Sequence, residues 1–263
     1  NGEITVDLKD AGSVSDRYPI LKKPFLRGVV SLVESLSYGM KALSFSAQAS
    51  GEEEEGAESM SSLELAGTIA VSVGLAVLLF VVLPTGAMKL LQNEGFSPMV
   101  LNLCEGLLRL GIFLLYIWGI SRQKDIQRVF QYHGAEHKTI YTYEHGLPLR
   151  VENVRPFSTL HPRCGTNFLM IVMLISIFIF TFLGWPSLWE RILSRILLMP
   201  VVAGISYEII RFAGKHMDKP WVRAAILPGL ALQKLTTRQP DDDQIEVAIA
   251  SLKAVLPPEE IIE

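Results

Sequence analysis

Long apolar stretches without charges dominate the pattern of this chain. Leu65–Leu83 runs for 19 residues and Gly165–Trp185 for 21 residues without a charge. At about 1.5 Å of rise per residue, either stretch would cross about 30 Å of hydrocarbon as a helix. Met99–Ile120 and Ile192–Phe212 are also apolar, apart from a few charged positions. The pattern predicts a mainly α, polytopic membrane protein with four transmembrane helices.

The charged residues inside two of these predicted spans have two interpretations each. Glu105 and Arg109 are four positions apart and share a helix face, so an ion pair inside the bundle is favoured over a functional role. Glu208 lies among small and polar residues, three positions before Arg211. A carboxylate within a membrane is a candidate for function, and an ion pair with Arg211 is the equal alternative.

The N-terminal part is predicted to contain a strand, a helix and a linker. Alternating apolar positions in Glu3–Leu8 predict a short strand, and its partner is expected upstream of the first residue. Pro24–Phe45 carries an apolar stripe at helical spacing and is predicted to be an amphipathic helix on the membrane or against the bundle. Ser50–Ser62 contains the acidic run Glu52–Glu55 and is predicted to be a solvated linker.

The C-terminal part is predicted to contain two further elements. Ala224–Leu235 is apolar but interrupted by Pro228 and Gly229, so a re-entrant or interfacial hairpin is favoured over a span. An amphipathic helix is expected after a cap at Asp241–Asp243. The chain then divides into an N-terminal strand, helix and linker (1–62), two spans (63–120), a His- and Cys-rich segment (121–166), two more spans (167–213) and the C-terminal segment (214–263).

Composition and charge agree with a membrane setting. Hydrophobic residues make up 49% of the chain and charged residues only 19%, so the lipid bilayer is the expected partner. The net charge of -3, with basic residues spread among acidic ones, excludes a nucleic-acid binder. Basic residues concentrate in the 121–166 segment and after Phe212. The positive-inside rule therefore predicts that this segment and both termini are cytoplasmic.

The pentapeptide from His133 to His137 is the most informative polar motif. It reads H-x-x-E-H, the inverted zinc-hydrolase motif, and a helix would place both imidazole rings on one face. In that chemistry His133 and His137 hold Zn²⁺, and Glu136 accepts a proton from the water that the zinc activates. Two histidines at this spacing are equally compatible with a packed core or interface pair.

A second cluster of candidate ligands follows in a turn that contains proline and glycine. His161 and Cys164 are three positions apart there and can point at one ion. The chain has 2 cysteines, and Cys104 lies in an apolar span, so Cys164 is predicted to be a reduced thiol. The third zinc ligand is predicted to be His161, Cys164 or Glu208. Glu208 is a candidate because inverted zinc hydrolases generally take a glutamate from a helix well downstream. A cysteine that only packs like a small hydrophobic residue is the alternative.

Three longer stretches resemble one family: YHGAEHK (Tyr132–Lys138), LHPRCGT (Leu160–Thr166) and PGLALQKLTTRQPDDDQIEVA (Pro228–Ala248). Together they make the chain similar to the YqhQ-type family of bacterial membrane proteins. The resemblance implies a metal-dependent enzyme of unassigned reaction in the bacterial cytoplasmic (inner) membrane. Family members usually begin with a Gly-rich segment that this sequence lacks, so a truncated start is expected.

Two functions follow as hypotheses. The first is a zinc-dependent hydrolase at the cytoplasmic membrane surface, most simply a peptidase acting on a peptide or a membrane protein, with Glu136 as general base. The second is a non-catalytic assembly or scaffold module, in which the histidines and cysteine hold a structural ion or hydrogen-bond a loop onto the bundle. A small transporter or channel is less favoured, because four spans without an internal repeat do not match transporter architecture. Each function is compatible with a homo-oligomer.

Overall fold

The computed structural model describes residues 4–10, 12–49 and 62–262, which are mainly helical. A π-helical turn, Leu78–Val82, joins the third and fourth helices. In chain order the α-helices are α1 (Val14–Arg17), α2 (Leu26–Ala49), α3 (Ser62–Val77), α4 (Leu83–Leu91), α5 (Pro98–Ile120), α6 (Lys124–Glu144), α7 (Val151–Val154), α8 (Gly165–Thr181), α9 (Leu188–Lys215), α10 (Pro220–Thr236) and α11 (Asp242–Val255).

Apolar helices of membrane-spanning length are present, as predicted. The described residues contain three stretches that are long and apolar enough to cross a membrane: Ala70–Glu94, Pro98–Ile120 and Leu188–Lys215. Few residues of these stretches are buried, as expected for apolar residues that face lipid. The chain is therefore a helical membrane protein by helix length and composition.

Helix length and composition do not support the predicted count of four spans. The apolar stretch Gly165–Trp185 forms α8, which ends at Thr181 after 17 residues and is followed by Gly184 and Pro186. Because glycine and proline interrupt helices, the helix is shorter than the apolar run that predicted it. At about 1.5 Å per residue α8 is about 25 Å long, below the thickness of about 30 Å for the hydrocarbon layer. By length and composition, three helices rather than four qualify within the described residues.

The prediction of an N-terminal strand is wrong. Residues 4–10 adopt no regular secondary structure, and the described part of the chain contains no strand. Ile4, Val6 and Leu8 are exposed, so the alternating pattern has no sheet against which to pack. The predicted amphipathic helix is confirmed as α2, whereas the acidic run Glu52–Glu55 lies outside the described residues.

The prediction of a C-terminal hairpin is wrong as well, because α10 continues through Pro228 as one helix. The next residue, Gly229, lies against Asn167 at the start of α8, where even a Cβ atom would collide with the Asn167 side chain. The Pro-Gly pair therefore permits close helix packing rather than a chain reversal. The final helix is confirmed as α11, and Asp241 begins it with a capping box to Gln244.

The chain divides into two compact units. The first contains residues 115–171 and 207–262 together with residues 4–10, and the second contains the described residues of 12–114 and 172–206. In the first unit α6 packs along α11 around a buried core of Ala135, Val154 and Ile245. Ala135 lies within the H-x-x-E-H motif, so this core holds the motif's helix in place.

Candidate metal centre

The first unit brings three of the predicted ligands together. His133 and His137 lie one turn apart on α6, and their ring centroids are 4.4 Å apart. Cys164 follows the turn that precedes α8, and His133 Nε2 lies 3.2 Å from its Sγ. One ligand atom from each of the three residues lies within 4.8 Å of the others. The two sequence clusters therefore meet at a single group, defined here as the His₂Cys group: His133, His137 and Cys164.

Two backbone carbonyl groups fix how the imidazole rings face. His133 Nδ1 lies 2.8 Å from the Thr236 carbonyl oxygen, and His137 Nδ1 lies 2.5 Å from the Thr159 carbonyl oxygen. A carbonyl can only accept a hydrogen bond, so both Nδ1 atoms must carry the proton and donate. When such a ring is neutral, its Nε2 carries the lone pair that can bind a metal, and when it is protonated, its Nε2–H can donate to the Cys164 sulfur. Metal-binding histidines in proteins are oriented by this kind of contact.

A buried glutamine holds the cysteine-bearing turn against α10. Gln233 is fully buried, accepts a hydrogen bond from the His161 N–H at 2.8 Å, and donates one to the His161 carbonyl at 2.8 Å. The turn then leads into α8, where the backbone N–H of Thr166 points at Cys164 Sγ from 3.4 Å. An N–H group and the start of a helix both favour a thiolate over a thiol.

The thiol and the imidazole rings shift each other's pKa. Burial raises the pKa of Cys164, but hydrogen bonds from the His133 and His137 rings outweigh this effect and lower the pKa to about 5. Burial lowers the pKa of His133, but the contacts with Cys164 and the Thr236 carbonyl outweigh it and raise the pKa above its usual value. At neutral pH the sulfur is therefore a thiolate, which is the form that binds metals.

His161 lies beside the His₂Cys group, with its hydrogen-bonding atoms engaged elsewhere. Its ring centroid is 5.7 Å from that of His137. The Arg163 N–H donates to His161 Nδ1 at 3.3 Å, and His161 Nε2 lies 3.4 Å from a Glu144 carboxylate oxygen. Burial and the electrostatic interaction with His137 lower the pKa of His161 to about 4, so the His161 ring is neutral at pH 7. Its one lone pair is directed at the Arg163 N–H rather than at the group.

The two predicted glutamates have different positions. Glu136 is exposed and lines the same cleft as His133 and His137, next to the His₂Cys group. Glu208 is a half-buried residue of α9 and does not belong to the group. Of the three candidates for the third ligand, the structure brings Cys164 to the two histidines.

The cleft over the group has a volume of about 630 Å³. Apolar side chains of Ile140, Tyr143 and Leu252 line one part of it, and the ion pair between Glu144 and Arg163 lies in another. This volume lies within the range of about 300–1,000 Å³ that is typical of small-ligand sites. Glu136 and the three residues of the His₂Cys group also line this cleft.

Gly134 has a structural role inside the motif. A Cβ atom at this position would collide with the carbonyl oxygen of Arg238, whose own N–H donates to the Phe130 carbonyl at 2.9 Å. The chain after α10 therefore lies directly against α6 at this residue. This close approach also sets the position of the nearby Thr236 carbonyl, which accepts from His133.

Sequence reasoning missed the residues that orient the two histidines and hold the turn that carries Cys164. Thr159 and Thr236 act through backbone carbonyls, which carry no residue signature. Gln233 and Glu144 act through their side chains, and their only sequence signal is a polar residue at a helical position. None of these contacts could be read from the spacing of histidines and cysteines.

Comparison with known proteins identifies relatives whose function is not assigned. The sequence profile of the family described as "Protein of unknown function (DUF1385)" matches residues 23–258. A Bacillus subtilis (strain 168) protein described as "Uncharacterized protein YqhQ" is 37% identical over 249 residues, covering 90% of this chain and 78% of the relative. No solved structure matches. The resemblance to the YqhQ-type family is confirmed.

Proposed function

We propose that this chain, which belongs to the DUF1385 family of unknown function, is a zinc-dependent hydrolase. Because the family has no assigned function, the proposal rests on the chain's own site. The observation that carries the proposal is the His₂Cys group, with its two oriented imidazole rings and a thiolate. The preferred substrate class is an amide, in a peptide or a membrane protein. The exposed Glu136 beside the group supports hydrolysis over a purely structural role.

The donor set fits zinc. Zinc accepts imidazole nitrogen at about 2.0–2.1 Å and thiolate sulfur at about 2.3 Å, so neighbouring ligand atoms around a tetrahedral ion lie about 3.3–3.8 Å apart. The three ligand atoms lie within 4.8 Å of one another, so small side-chain movements would bring them to these separations. A thiolate with two imidazoles favours zinc over magnesium or calcium, which prefer oxygen ligands.

Three protein ligands are also the number expected for catalysis. Structural zinc sites usually have four protein ligands, whereas catalytic sites have three and an open position. Zinc in such a site lowers the pKa of a water molecule and polarises a carbonyl group. Glu136 lines the same cleft and would act as the general base that takes up the proton.

A hydrogen-bonded cluster without catalysis is the second candidate. The contact of 3.2 Å between His133 Nε2 and Cys164 Sγ favours it, because an imidazole and a thiolate can form a stable pair by themselves. In that case the cluster would only fasten the cysteine-bearing turn to α6. The two candidates differ in whether the group binds an ion with an open coordination position.

Cobalt substitution tests the proposal. We expect Co²⁺ to bind the full-length protein with a thiolate-to-cobalt charge-transfer band, and acetohydroxamate to change the visible spectrum by occupying the open position. His145→Ala is the control, because His145 is an exposed histidine at the end of α6 outside the group. A cobalt spectrum that acetohydroxamate leaves unchanged would support a closed structural site. Absence of the charge-transfer band would refute thiolate ligation.

We also propose that α8 crosses the bacterial cytoplasmic membrane despite its length. In this proposal the chain before α8 and the chain after α9, which both belong to the first unit, lie on one side of the membrane. A return to the same side requires an even number of crossings. The helix α9 is long enough for one crossing, and α8 is the remaining candidate for the other. A short span can be accommodated by local thinning of the bilayer.

This topology has four crossings, with both termini and the His₂Cys group in the cytoplasm. In a Cys104→Ser background, a membrane-impermeant maleimide should label Ser187→Cys on intact cells. Arg150→Cys should react only after permeabilisation. Both replaced residues are exposed, so accessibility depends on the side of the membrane. Labelling of Arg150→Cys on intact cells would contradict the proposed orientation.

A further inference from the structure

A cluster of charged side chains lies among the apolar helices of the second unit. Glu105 is fully buried in α5, and its carboxylate accepts from Arg109 at 2.7 Å, from Arg195 at 2.6 and 3.1 Å, and from Arg191. The Thr85 hydroxyl adds a donor at 3.1 Å. The predicted pair of Glu105 and Arg109 is therefore present, but as part of a larger cluster of one carboxylate and three guanidinium groups.

The cluster carries excess positive charge. Guanidinium groups stay protonated in proteins, so three arginines and one carboxylate leave an excess of two positive charges, although two of the guanidinium groups also lie over aromatic rings. Among the described residues, Glu105 is the only carboxylate within salt-bridge distance of these arginines. Glu190, on the same helix as two of them, instead accepts from the Ser187 N–H and hydroxyl. Uncompensated charge among apolar helices is costly, and an anion would reduce that cost.

The position along α5 limits what kind of anion can reach the cluster. Glu105 and Arg109 are the eighth and twelfth of the 23 residues of this helix. At about 1.5 Å per residue they lie about 10 Å and about 17 Å from its first residue. A lipid head group stays at the membrane surface, so a small diffusible anion is the better match at this depth.

A small cavity lies beside two of the arginines. Its volume is about 40 Å³, and its lining includes Arg109, Arg195, Asn102, Ser176, Gly106 and Phe180. A cavity measured in this way holds one water molecule from about 10–15 Å³, so the space has room for an ion of halide size. At Gly106 even a Cβ atom would approach Ile177 to 2.8 Å, so the helices pack closely at this wall.

Donors for an anion remain on the two arginines. Each guanidinium has five N–H groups. Arg109 directs Nε to the Phe80 carbonyl at 2.8 Å and Nη2 to Glu105, and Arg195 directs its two terminal nitrogens to Glu105. In a regular α-helix the Phe80 carbonyl would accept a hydrogen bond from the backbone N–H of residue 84. That residue is Pro84, which has no N–H, so the carbonyl can accept from Arg109 instead. Pro84 thus helps to hold Arg109 at the cavity.

From this charge excess, depth and cavity size, we propose that the second unit binds a monovalent anion of halide size, chloride in the cell, between Arg109 and Arg195. Asn102 and Ser176 have other roles at the site. The Asn102 amide donates to the Leu183 carbonyl at 2.5 Å, and the Ser176 hydroxyl donates to the Met173 carbonyl at 2.8 Å. The anion is therefore held by guanidinium groups rather than by these polar side chains.

Thermal unfolding of the full-length protein in detergent tests this proposal. We expect the unfolding temperature to rise saturably with chloride or bromide, compared with gluconate at the same ionic strength. Crystals grown in bromide should have an anomalous peak between Arg109 and Arg195. Equal stability in chloride and gluconate would overturn the proposal. Stabilisation by phosphate, or by phosphatidylglycerol vesicles, without a halide effect would also overturn it.

Two variants at one position separate cavity binding from surface screening. Ser176→Leu would fill the cavity and should raise the half-maximal chloride concentration at least about tenfold, because the contacts with both guanidinium groups are blocked. Ser176→Ala leaves the cavity open and should keep the wild-type value. Lys89→Gln removes an exposed cation of α4 that does not line the cavity and should also leave the value unchanged. An unchanged halide response in Ser176→Leu would overturn the proposal. If that variant does not fold, the comparison of chloride with gluconate in the wild-type protein decides whether a halide binds.

Discussion

Replacing Cys164 with serine is expected to weaken zinc binding by more than about 100-fold. Loss of a residue that merely orients a ligand costs about 10–100-fold, and Cys164 would be a ligand itself. Its thiolate lies 3.2 Å from His133 Nε2 and is stabilised at neutral pH by the two imidazole rings. The measurement is competition between the protein and a chromophoric chelator for zinc at pH 7.

Cys104→Ser is the matched control for this experiment. Cys104 is exposed on α5, outside the His₂Cys group, so its replacement should leave zinc affinity unchanged. If Cys164→Ser binds zinc as tightly as the wild type, the sulfur is not a ligand. The third ligand would then have to come from His161 or Glu208, after a rearrangement of their present contacts.

Replacing Glu136 with glutamine is expected to leave zinc bound and to lower turnover by about 10²–10⁴-fold, the usual contribution of a general base. The side chain is exposed in the cleft and lies outside the group of ligands, so its charge is not needed to hold the ion. Turnover can be followed as new amine termini released from a peptide library by the zinc-loaded protein.

Glu246→Gln serves as the control, because Glu246 is an exposed residue of α11 that does not line the cleft. A fall of about 10–100-fold in zinc affinity of Glu136→Gln would instead indicate that Glu136 orients an imidazole ring. Unchanged turnover in Glu136→Gln would contradict its role as general base.

The helical part of the site could be predicted from the sequence, because its geometry is local. Residues four positions apart on a helix share a face, so His133 and His137 had to be neighbours once α6 was recognised. The third ligand was left open among three residues for a different reason. The position of Cys164 depends on a turn held by Gln233 of α10, a contact over 72 positions that spacing does not encode.

The differences between the predicted and the observed elements have a similar origin. The count of four spans relied on an apolar run, but helix length also depends on the Gly184 and Pro186 interruption after α8. The hairpin at Pro228 was inferred from local propensity, whereas packing of Gly229 against Asn167 keeps α10 as one helix. Glu105 was expected to pair with one arginine in its own helix, and the two further partners come from α9.

The zinc content of the purified full-length protein tests the central claim most directly. Elemental analysis of protein prepared without chelators should find close to one zinc per chain in the wild type. The His137→Ala variant should contain almost none, and the His145→Ala control should match the wild type. Wild-type protein without metal above background, even after incubation with zinc and removal of the excess, would contradict the account.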